Sequence, residues 1–161
     1  MDVVRISYVE LGLLAVAAAI VATALPRCSG RSASRALLAS WAITPGVLNP
    51  DVTQASIRTT ICRRGWTKTI RPPVSYTNAL KERGLQQYGL RGPPSAFQED
   101  HLISLELGGN PTDPRNLWPE PYPRAAAVDK IENELNHLVC SGAITLAEGQ
   151  RRESALKHTQ G

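Results

Sequence analysis

The sequence predicts a small α+β domain with additional flanking helices, and three observations carry that prediction. Residues 97–138 read in the order strand, irregular turn-rich loop, short strand, helix. Helical patterns lie on either side of this unit, one set before Gly92-Pro93-Pro94 and one after Ser141-Gly142. The chain of 161 residues is 42% hydrophobic and 20% charged, enough apolar surface for one core and too much for a fully disordered chain. No period of 20–50 residues recurs, which excludes solenoids. Three Cys and 12 Pro exclude a dense disulfide scaffold and a long coiled coil.

The N-terminal segment is expected to stand apart from the domain. Leu11 to Leu25 reads LGLLAVAAAIVATAL, fifteen residues without a charge, where a spanning helix needs about 20. Ala22-Thr23-Ala24 supplies a small-x-small cleavage pattern, so residues 1–24 are expected to be a cleaved secretory signal. Its positive region is weak, Arg5 being offset by Asp2 and Glu10, and the alternative is an uncleaved membrane anchor over 11–25. Pro26-Arg27 before Cys28 excludes a lipoprotein site. Residues 25–44, rich in Ser and Arg, are expected to be a linker, with a single domain over 45–161. Export to a periplasmic or extracellular space favours disulfides. Cys62 and Cys140, each at the end of a helical pattern, are expected to pair; the alternative is two unrelated small core residues. No CxxC is present, which excludes a structural zinc site of the usual spacing.

Asn49-Pro50-Asp51 has the form of a helix start, and Val52, Ala55, Ile57 and Ile61 give an imperfect apolar stripe up to Gly65. After Pro72-Pro73, Tyr76, Leu80 and Lys81 mark a short helical run whose middle Gly84 weakens. Residues 52–91 carry eight basic residues against Glu82 alone, a net +7, while residues 92–161 carry a net −4. Arg58, Arg63, Arg64, Lys68 and Arg71, interleaved with Trp66, Tyr76 and Tyr88, are the pattern of a phosphate-backbone binder with stacking aromatics. The bland alternative is a solvated basic face.

The chemistry lies in Gln98-Glu99-Asp100-His101 and the following Leu-Ile-Ser-Leu-Glu-Leu-Gly-Gly over 102–109. After a turn-rich stretch comes Arg115-Asn116-Leu117-Trp118-Pro119-Glu120, then a helix with Val128, Ile131, Leu135 and Leu138 as its buried stripe. Neighbours on a strand point to opposite faces, so Asp100 and His101 can serve one centre only where the strand ends or bends. A carboxylate suits Mg²⁺, and an imidazole can take a proton from water near neutrality. Asn116 can ligate or orient. Thr145 and Glu148 form a capping box for a terminal helix reaching about Lys157, read as structural. His158 is placed in a frayed tail beyond it.

Glu-Asp-His-Leu-Ile-Ser-Leu-Glu-Leu-Gly-Gly, then Asn-Leu-Trp-Pro and a helix, resembles the HNH endonuclease family of the ββα-metal (His-Me finger) fold. The likeness covers roughly residues 97–138, about a quarter of the chain. It implies His101 as general base, Asp100 as metal ligand, and Asn116 as ligand or orienting residue of the second strand. Two departures stand: Ser104 replaces the Pro often found there, and the helix His is missing. Asp129 is the substitute chosen by position, with Glu132 and His137 the other candidates.

The expectation is an exported, Mg²⁺-dependent nuclease that hydrolyses DNA or RNA with low sequence preference. Asp100, Asn116 and Asp129 would hold the ion, and Arg115 or Arg124 would stabilise transition-state charge. No small-molecule cofactor is expected, and the membrane is met only through an uncleaved N-terminal segment. A non-catalytic exported module that binds nucleic acid or another polyanion on the same fold is the alternative. A partner-binding domain with an incidental Asp-His pair is the third.

Overall fold

The strand–loop–strand–helix order is realised. The computed structural model describes residues 37–160, and among them lie four helices and one two-stranded antiparallel sheet. The expected signal, its cleavage site and Cys28 lie outside the described residues. The helices are α1 (Trp66–Ile70), α2 (Val74–Gln87), α3 (Tyr122–Ser141) and α4 (Leu146–Thr159); the strands are β1 (Phe97–His101) and β2 (Leu117–Pro121). β1 and β2 pair in the register Asp100 opposite Trp118 and His101 opposite Leu117. β2 accepts Pro119 and Pro121 because in a two-stranded sheet each strand keeps one free edge, where a missing N–H costs no ladder bond.

Three expectations are corrected here. The stretch after Asn49 is a series of turns rather than a regular helix. Its Ser and Thr side chains compete for the backbone: Ser56 Oγ donates to Asp51 O at 2.9 Å, and Thr60 Oγ1 donates to Ser56 O at 2.8 Å. Val52, Ile57 and Ile61 still enter the main core, with Ile103, Leu107, Leu135, Val139 and Leu146. Second, the described end of the expected linker belongs to the domain. Ala39 and Thr44 are buried, Ala39 N donates to Lys157 O at 3.0 Å, and Tyr88 Oη donates to Thr44 Oγ1 at 2.8 Å. Third, the buried stripe of α3 is Ala125, Val128, Glu132, Leu135 and Val139, with Ile131 exposed. That stripe keeps helical spacing but passes through a glutamate, which a hydrophobic pattern does not count.

α2 runs longer than expected, and Gly84 has a packing reason. A Cβ there would stand 3.0 Å from Pro119 Cδ, so the missing side chain lets α2 lie against β2. α4 begins as expected, Thr145 Oγ1 accepting from Glu148 N at 3.2 Å. Cys62 and Cys140 are joined, with Cα atoms 5.5 Å apart, tying the basic half to the end of α3. A disulfide fits an oxidising compartment outside the cytoplasm. Among the described residues no helix is long and apolar enough to cross a membrane.

Candidate functional site

The end of β1, the turns after it and the buried face of α4 converge on one polar cluster. His101 is buried at the last position of β1, and its Nε2 lies 3.0 Å from Pro111 O. A carbonyl only accepts, so in the neutral ring Nε2 carries the hydrogen and Nδ1 presents its lone pair. Burial, the largest cause, lowers the imidazole pKa, and Lys157 and Arg71 lower it further against the pull of Pro111 O and Asp100. The side chain is therefore held neutral and fixed by one nitrogen, as a general base requires.

Asn116 is fully buried and locks the loop that carries this geometry. Its Oδ1 accepts from Ile103 N at 3.0 Å and Val47 N at 3.3 Å; its Nδ2 donates to Ile103 O and Asn110 O, both at 3.0 Å. Both ends of the amide are thus occupied by backbone groups. These four bonds brace the loop between β1 and β2. The Gly-Gly pair belongs to the same lock: a Cβ on Gly109 would fall 1.7 Å from Ile103 O and 2.7 Å from Asn116 Nδ2. Gly108 turns with φ +77°, in the left-handed region that favours glycine.

Asp100 points to Lys157, which the sequence reading placed only at the end of a structural helix. Lys157 Nζ, fully buried on α4, lies 2.7 Å from Asp100 Oδ2, 2.5 Å from Glu132 Oε1 and 3.5 Å from Glu153 Oε1, and donates to His101 O at 2.5 Å. Burial works to raise the Asp100 pKa, but the Lys157 charge and hydrogen bond outweigh it and hold the carboxyl below its ordinary value. Glu153 Oε1 also accepts from Ser104 N at 2.8 Å, joining α4 to the turn after β1. Burial, reinforced by Asp100, pushes the neighbouring Glu120 up to about 8. The sequence signal for this cluster was the helical spacing of Leu146, Gly149, Glu153 and Lys157, all buried, but two of the four are charged. His158 is also buried in α4, not frayed: its Nε2 lies 3.0 Å from Thr44 O, and its ring stacks on Trp41 at 3.5 Å.

The expected ligand trio does not fit a divalent ion as a set. Asn116 is saturated by backbone groups and Asp100 is held by Lys157. Of that trio only Asp129 keeps its side chain clear of ion pairs and backbone bonds; burial, then Asp100, raises its pKa. Of its substitutes, Glu132 is paired with Lys157 and His137 is exposed. Among the described residues no group of three or more His, Cys, Asp or Glu is arranged so that it could hold a metal ion.

The expected cationic residues separate into two sets. Arg115 forks onto Asp113 at the surface, with bonds of 3.0 and 2.7 Å. Arg124 pairs with Glu120, donates to Leu156 O at 3.0 Å and Gln160 O at 2.8 Å, and lies over the Trp118 ring. Both expected charge stabilisers are therefore engaged in holding structure. Arg58, Arg63, Arg64, Lys68 and Arg71 are all exposed. Arg71 is near enough to the site to lower the pKa of Asp129 and Glu106 as well as that of His101. A groove of about 320 Å³, lined among others by Arg63, Arg64, Glu106 and His137, adjoins this face. Burial, then Glu132 and Asp129, raises Glu106 to about 7.

No protein-family model matches the chain, and no curated protein or solved structure matches it significantly.

Proposed function

We propose that this chain is an exported nuclease of HNH type that hydrolyses phosphodiester bonds of DNA or RNA, with His101 as general base. The observation that carries the reading is the neutral, buried imidazole of His101, pinned through Nε2 to Pro111 O with Nδ1 left as acceptor. In the proposed reaction Nδ1 takes a proton from water as the water oxygen bonds to phosphorus and the phosphorus–oxygen bond to the leaving group breaks. Arg71 is exposed and near enough to lower the His101 pKa, and it is the cation assigned to the phosphate; Arg58, Arg63, Arg64 and Lys68 extend the basic surface along which a backbone would lie. Contacts of that kind carry little base information, which is why low sequence preference is proposed. The expected Mg²⁺ has only Asp129 of its three ligands free to meet it, so the reaction is written on the chain's own groups.

The test is cleavage of plasmid DNA and of RNA by the purified full chain, in Mg²⁺ and in EDTA, with His101→Ala alongside. Cutting that His101→Ala loses while binding persists supports the proposal. If wild type cuts neither substrate under either condition yet binds both in a salt-dependent way, the binding-module alternative replaces it. One observation favours that alternative: Lys157 occupies the carboxylate that the resemblance gives to metal. For export, a reporter fused to residues 1–30 should leave the cytoplasm with cleavage near Ala24; retention in the cytoplasm refutes the signal.

A further inference from the structure

We propose that Lys157 is the resident cation of this site: its ammonium takes the place among Asp100, Glu132 and Glu153 that a divalent ion would need, and holds β1 to α3 and α4 in that ion's stead. The proposal concerns the organisation of the cluster and stands whether or not the chain cuts nucleic acid.

Valence comes first. An ammonium has three N–H donors and no acceptor. Three oxygens stand within 2.7 Å of Nζ, from Asp100, Glu132 and the His101 carbonyl, and Glu153 stands fourth at 3.5 Å. They come from β1, α3 and α4, so one charge gathers three separate elements, as a bound hard cation does with oxygen ligands. Lys157 has no exposed surface. A dipositive ion could not enter beside a buried ammonium without displacing it.

Charge follows. Three buried carboxylates without a cation would be costly, and Lys157 is the one cation among the described residues within ion-pair distance of all three. The buried Glu153 Oε2 has no hydrogen-bond partner. Lys157 is thus a positioning residue, acting on His101 through the backbone carbonyl that precedes the loop locked by Asn116.

The test uses Mn²⁺ as the probe on the full chain, read by the free-Mn²⁺ electron paramagnetic resonance signal and by thermal unfolding. Wild type and Asp100→Asn should take up Mn²⁺ equally weakly. Lys157→Ala should unfold at lower temperature, regain part of that loss in Mn²⁺, and bind Mn²⁺ about tenfold or more tightly than wild type through the carboxylates it frees. Adding Asp100→Asn should abolish the gain. Tight Mn²⁺ binding by wild type that Asp100→Asn removes would overturn the proposal, since the ion would then displace the lysine. A folded Lys157→Ala with no gain would overturn it too. Should Lys157→Ala fail to fold, the comparison of wild type with Asp100→Asn decides by itself.

Discussion

Replacing Asn116 by Asp separates the brace from the ligand with almost no change in shape. A metal ligand gains a charge by this exchange, so a ligand role predicts unchanged stability and tighter Mg²⁺ binding. The brace predicts the opposite. The two hydrogen bonds that Nδ2 donates, to Ile103 O and Asn110 O at 3.0 Å, become contacts between a carboxylate oxygen and two carbonyl oxygens. Each lost bond removes about 1 kcal/mol net, and a buried carbonyl left without a donor costs about 1–3 kcal/mol. Adding the partial desolvation of a carboxylate, we expect a loss of about 3–5 kcal/mol at neutral pH. That is a large share of the roughly 5–15 kcal/mol that holds a domain together. Urea unfolding followed by circular dichroism measures it. Burial raises the pKa of the introduced carboxyl, so the folded state keeps a proton the unfolded chain releases. The deficit should therefore shrink as pH falls, because the protonated acid regains one donor. A loss below about 1 kcal/mol, or stability unchanged with tighter Mg²⁺ binding, refutes the brace.

Reducing the Cys62–Cys140 bridge, which spans 78 residues of sequence separation, should cost about 2–5 kcal/mol; an unfolding midpoint unmoved by reductant counts against it. His101→Ala should lower nuclease turnover about 10²–10⁴-fold while salt-dependent DNA binding stays at the wild-type level. Because burial depresses the His101 pKa, the acid limb of the wild-type rate profile should lie below the ordinary imidazole value of 6.5, and a limb above it contradicts the neutral buried ring. Burial, opposed by Lys81 and assisted by Asp100, raises Glu99 to about 8. Its stabilising contribution is complete below the unfolded carboxyl value and lost as pH rises through about 8. Glu99→Gln should flatten the fall in stability between the ordinary carboxyl value of 4.5 and about 8, and urea midpoints that still fall equally steeply across that range would show that Glu99 is not the group titrating.

The local features were legible from residue order alone. Strand, loop, strand and helix over 97–138, the Thr145 cap and the Cys62–Cys140 pair all rest on short-range patterns or on the simple pairing of thiols expected of an exported chain. Mixed α+β architecture follows from the same patterns, and the basic residues between Arg58 and Arg71 are exposed as charged side chains ordinarily are. Where Ser and Thr offered the backbone other partners, as at Ser56 and Thr60, the apolar positions were still right and the regular helix was not. The bracing by Asn116 needed the fold, because its four hydrogen bonds reach three residues that lie 6 to 69 positions away along the chain. The pairing of Asp100 with Lys157 needed it more, across 57 residues. A charged residue read in sequence defaults to solvent, and only the opposed carboxylates of β1, α3 and α4 make burial of an ammonium favourable.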